Sequence, residues 1–202
     1  MPASVRPAFA TLWNLDLALA DVVATTSEPP LGAIRLAWWR ERLEELDTRG
    51  APPGEPRLSA IARQLLSRGV TGAELSRLED GWLPLLEPLP WGADQAQGLK
   101  LRGRILFGIG ARLLGGQAEA AQAAGALWSL VDGADHCSDE QSRMFLRGEA
   151  IKAVPRLPRN VPRNLRSLTM LGALAAFDVR RSGRFGRGGA ALAHRLTGRF
   201  PR

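Results

Sequence analysis

Apolar residues recur at intervals of three and four along most of the 202-residue chain, with Ala, Leu, Arg and Glu between turn signals, a period that predicts helix throughout. No strand pattern competes with it. Pro7 opens a first helix over about 8–25, in which Leu12, Leu15, Leu19, Val22 and Val23 form one stripe, and Ser27-Glu28-Pro29-Pro30 stops it. A second helix follows Pro30 and ends before the GAPPGEP loop, with Leu31, Ile34, Trp38 and Leu46 near one face. Residues 58–68 read as a short amphipathic helix, Thr71 with Glu74 as a capping box, and Pro84 as the end or kink of the helix that the box opens. Two longer helices follow Gly92, separated at Gly115-Gly116, and their many small residues suit close helix contacts. Prolines make 148–164 a loop, and 165–181 is a helix with Leu168, Leu171, Leu174 and Ala175 inward. ALAHRLTG is a last short helix. Eight or nine helices without an internal repeat predict an all-α, single-domain helical bundle over 1–182, followed by a basic Gly/Arg-rich tail over 183–202.

Composition agrees with a globular chain: 45% hydrophobic, 23% charged, enough to bury ~70% of the unfolded surface. Cys137 is the only cysteine and His136 and His194 the only histidines, which excludes a disulfide framework and a Cys/His zinc cluster and leaves carboxylates to hold any metal. Lysine occurs only at Lys100 and Lys152, and tyrosine is absent. No apolar run approaches the ~18 residues of a transmembrane helix, so a cytoplasmic protein is expected. Charge is divided unevenly. Residues 1–100 hold 10 basic and 13 acidic side chains, residues 101–202 hold 17 and 7, and the stretch from Gln141 onward carries 14 basic residues against Glu149 and Asp178. Such an excess predicts an anionic partner.

Asp16 and Asp21 on the first helix are candidates for magnesium, but a five-residue step sets them ~140° apart, which suits solvent-facing acids better. In VDGADHCSDE, Asp132, Asp135 and Asp139 share one face if the helix continues, and would need a divalent ion or arginines to neutralise them. The competing reading is an exposed helix end with Ser138 capping the next helix. Adjacent helical residues point ~100° apart, which argues against a His136–Cys137 dyad. Arg35, Arg40, Arg102, Arg104 and Arg112 lie in otherwise apolar helices, where guanidinium forks either match diphosphate oxygens or cover apolar surface. Trp38, Trp39, Trp82 and Trp128 read as core. The basic C-terminal run suits phosphates or an anionic membrane, but Phe177, Phe185 and Phe200 are too sparse to stack bases, which weighs against nucleic acid.

FATLWNLDLALADVVATTSEPPLGAIRLAWWRERLEELD resembles the opening of the squalene/phytoene synthase family. LKLRGRILFGIGARLLGG is similar to its central helix, AGALWSLVDGADHCSDEQSRMFL to its second aspartate-rich helix, and LPRNLRSLTMLGALAAFDVRR to its C-terminal helix, a resemblance spanning about 8–181. It implies a shortened bundle of the isoprenoid synthase type, related to enzymes that join two prenyl diphosphates head to head on magnesium held by two aspartate motifs. The first motif falls on Ala20, Asp21 and Ala24, so only Asp21 matches. The second is approximated by Asp135, Asp139, Ser142-Arg143 and Phe145-Leu146, with Arg147 in place of the proline. Asn14, Asp16, Leu17 and Ala18 resemble the branch of a complex I assembly factor, which lacks full metal motifs. The resemblance therefore implies a degenerate relative that binds an isoprenoid, another lipid-like ligand or a protein partner, with peripheral contact at the inner membrane face. The rival is a working prenyltransferase in which Asp21, Asp135 and Asp139 hold magnesium while Arg40, Arg104 and Arg143 grip the diphosphate. A third reading is a binder of anionic membrane or nucleic acid through Arg180, Arg181, Arg184 and Arg187.

Overall fold

A computed structural model describes residues 2–50, 54–180 and 186–201. All regular structure among them is helical, as the periodicity predicts, and the chain divides into two compact units, Met1–Glu87 and Pro88–Arg202.

In the N-terminal unit, α1 (Arg6–Thr25) and α2 (Pro29–Glu45) are followed by α3 (Pro56–Gln64), α4 (Gly72–Ser76) and α5 (Leu78–Trp82). Prolines in the first turn start α1, α2 and α3, where the missing N–H removes a donor that would be orphaned anyway. The Thr71–Glu74 capping box forms as predicted. Asp47 adds a second cap to α4, its carboxylate accepting from the Gly72 and Ala73 amides at 2.7 and 3.0 Å. Pro84 ends α5, and Leu83–Leu86 continues as a 3-10 turn. Leu12, Leu15 and Leu19 of α1 enter the core with Leu36, Leu43, Leu58, Ile61, Leu75 and Leu78.

Two readings of this unit are corrected. The buried stripe of α2 is Gly32, Leu36, Trp39 and Leu43, whereas Leu31, Ile34 and Trp38 are exposed at 45%, 70% and 43%; of the expected face only Leu46 is buried. Both stripes are apolar, so the period alone could not choose between them. Ala3–Thr25 is also long and apolar enough to cross a membrane by length and composition, contrary to the expectation that no segment would be. Half of its apolar window is buried within the protein, as in a core helix.

The C-terminal unit contains α6 (Ala93–Leu113), α7 (Glu119–His136), α8 (Glu140–Ala153), α9 (Arg166–Asp178) and α10 (Arg187–Thr197). α7 packs against α6, α8 and α9, and α10 packs on α9. Small residues permit this. At the α6–α7 crossing Gly103 and Gly125 meet backbone to backbone, and a Cβ on Gly103 would lie 2.5 Å from the Gly125 carbonyl carbon. Gly172 of α9 approaches Ala124 somewhat less closely, a Cβ there lying 2.7 Å from the Ala124 carbonyl oxygen, with Thr169, Ala173 and Ala176 buried beside it, while the expected Leu171 and Leu174 are only half-buried. α8 runs to Ala153 instead of yielding to loop at 148, because the first proline that could stop it is Pro155, in the 3-10 turn Val154–Arg156.

Candidate functional site

The helix carrying the second acidic cluster does not continue. α7 ends at His136, Cys137 is extended, and Asp139 is the N-cap of α8, so Asp132 and Asp135 lie on one helix while Asp139 opens the next. The cap is Asp139 itself rather than Ser138: its Oδ2 accepts from the Ser142 amide at 2.7 Å and the Ser142 hydroxyl at 2.6 Å. Those two bonds, side chain first, hold the Asp139 carboxyl below its ordinary range. The other two acids are spent on arginines. Arg102, buried, donates to Asp132 at 2.8 Å and to Ser129 at 3.3 Å, with its guanidinium 4.9 Å above the Trp128 ring. Arg147 donates to Asp135 at 2.7 Å, and Arg143 pairs with Glu140.

In the N-terminal unit, Asp21 is exposed on α1. Asp16, expected on the solvent face, is buried at 1% exposure and accepts from Trp82 Nε1 at 3.0 Å. Arg40 pairs with the buried Glu79 at 3.4 Å; burial pushes the Glu79 carboxyl up, and Arg40 only partly restores it. Of the arginines expected to turn inward, only Arg102 is buried. Arg35 bonds the Thr26 hydroxyl at 2.9 Å at the surface.

Of the residues expected to hold magnesium, Asp21 is exposed on α1, while Asp135 and Asp139, like Asp132, are each turned to a separate protein partner. Among the described residues no three His, Cys, Asp or Glu side chains come together as a metal-holding group.

Arg104 belongs elsewhere. It lines a cavity of about 580 Å³ walled by α6, α7 and α8, together with Lys100, Lys152 and Arg156 and with Gln97, Glu119, Gln122 and Glu149. Lys100 and Lys152, the only lysines in the chain, both reach Glu149, at 2.6 and 2.9 Å. Lys100 first and then Lys152 hold the Glu149 carboxyl below its usual range, so it stays ionised between them. Sequence reasoning found Arg104 but missed the other cations. The one signal in the sequence was the rarity of lysine, which occurs only at Lys100 and Lys152.

Comparison with protein-family models, curated proteins and solved structures returned no match.

Arg181 and Arg184, named for an anionic surface, lie outside the described residues; Arg187 pairs with Asp178 at 3.1 Å, and Arg180 is exposed.

Proposed function

We propose that this protein acts by binding rather than by turnover: a shortened, squalene/phytoene synthase-like helical protein that has kept the shell and lost the reaction. The observation that carries this reading is the fate of the aspartates. Asp132 and Asp135 are paired with Arg102 and Arg147 and Asp139 caps a helix, and among the described residues no three carboxylates are gathered to neutralise a diphosphate through magnesium. The exposed Leu31, Ile34 and Trp38 on α2 support a ligand or partner that covers apolar surface. A prenyl diphosphate, another lipid-like molecule or a protein partner meets that description.

The test is incubation with magnesium and labelled geranylgeranyl diphosphate, following both retention on the protein and release of pyrophosphate. Retention without release is the expected result. Magnesium-dependent release that disappears in Asp135→Asn and Asp139→Asn would refute the reading and restore the prenyltransferase. Neither retention nor release would remove the lipid and leave the α2 surface to a protein.

A second reading, contact with an anionic membrane, draws on α10. Leu192 and Leu196, one turn apart, are 58% and 68% exposed in the most basic part of the chain. Co-sedimentation with phosphatidylglycerol vesicles that weakens with salt and in Leu192→Ser/Leu196→Ser would support it; salt-independent or absent binding would remove it.

A further inference from the structure

We propose that the cavity between α6, α7 and α8 binds the phosphate group of a small phosphorylated molecule. Its cations come from three directions: Lys100 and Arg104 one turn apart on α6, Lys152 near the end of α8, and Arg156 in the turn that follows. Four cations against Glu119 and Glu149 leave an excess of two positive charges in the wall. Glu149 holds the buried Lys100 in place before any ligand arrives and also pairs with the exposed Lys152 three residues on, while Arg104 and Arg156 are exposed and make no ion pair among the described residues.

The ligand class follows from that layout. Two uncommitted guanidiniums with an excess of two charges match a dianion with several acceptor oxygens, which a phosphate monoester supplies and a single carboxylate does not. Gln97 and Gln122 add neutral amide donors and acceptors for the remainder of the molecule. Ala123, Ala126 and Ala153 keep the wall shallow, and about 580 Å³ suits a small metabolite. The site is separate from the acidic end of α7. Gln122 and Asp135 are 13 residues apart on that helix, roughly 20 Å at the ordinary rise per residue. The inference rests on the C-terminal unit alone and does not depend on whether a prenyl ligand binds.

The experiment is calorimetric titration of the full chain with inorganic phosphate and with glycerol 3-phosphate, alongside vesicles of phosphatidylcholine with and without phosphatidic acid. Saturable binding of the soluble ester is expected, weakened about tenfold or more in Arg104→Gln and in Arg156→Gln, abolished in the double variant, and unchanged in Arg195→Gln on α10. Both arginines are exposed, so circular dichroism and the melting temperature should show the variants folded. Absence of saturable binding, or equal affinity in the double variant, would overturn the site. Binding only to phosphatidic acid vesicles, lost in the double variant, would overturn the small molecule and assign the phosphate to a lipid headgroup.

Discussion

Replacing Gly103 with alanine tests the α6–α7 crossing, around which the C-terminal unit is built. The added methyl would lie 2.5 Å from the Gly125 carbonyl carbon and 2.9 Å from the Ala126 nitrogen, both backbone atoms that no rotamer change can move. Ordinary contact requires the helices to separate by about 1 Å, loosening packing along both, and overpacking of this kind costs about 1–3 kcal/mol or more. Alanine also returns up to about 1 kcal/mol of helix propensity, so a net loss of about 2 kcal/mol is expected. Gly148 of α8 is the internal control. Nothing lies within 4 Å of a Cβ built there, so Gly148→Ala should raise stability by about 0.5–1 kcal/mol through propensity alone. Urea unfolding followed by circular dichroism and by tryptophan fluorescence measures both variants. If Gly103→Ala is as stable as the parent or more so, the backbone-to-backbone crossing is refuted.

Two further outcomes follow from buried charge. Asp132→Ala removes the Asp132 carboxylate from beside the buried Arg102 guanidinium and should cost about 2–3 kcal/mol, discounted because Asp132 is itself partly exposed; Asp132→Asn keeps an acceptor and should cost less, and a urea midpoint for Asp132→Ala equal to the parent's would show that the pair is irrelevant. His194 is fully buried, with Nδ1 at 2.9 Å from the Arg199 carbonyl and Nε2 at 2.9 Å from the Thr169 hydroxyl, and burial lowers its pKa from the ordinary 6.5. The unfolded chain then takes up a proton before the folded one, so the stability tied to neutral His194 is complete above pH 6.5 and is lost as pH falls toward its depressed folded pKa. Melting temperatures between pH 7.5 and 5.5 should decline in the parent and decline less in His194→Gln; parallel slopes would contradict the assignment.

How much of this was legible in the sequence depended on whether one local rule or several competing ones governed each segment. Helix starts were readable because Pro7, Pro30, Thr71 and Glu74 act through covalent geometry and short-range bonds. The inward face of α2 was not, since its two apolar stripes differ only in what packs against them. α8 outran its expected end because Gly148 lowers propensity without breaking a helix, which takes a proline. At the acidic cluster the residues were found but their geometry was not: Asp139 and Ser138 compete for one cap, and a single residue decides whether three aspartates share a helix. Arg104 was singled out by its apolar surroundings, yet its companions Lys152 and Arg156 lie some fifty residues away and meet it only through tertiary packing.

The meeting of Gly103 and Gly125 has a mechanical corollary for the cavity beside it. Arg104 follows the first glycine and Gln122 sits one turn before the second, so two of the three walls are clamped where their spines touch. The third wall is braced as well, because the Lys100–Glu149 tie runs from α6 to α8 across the gap, so the enclosure is held to one shape on every side.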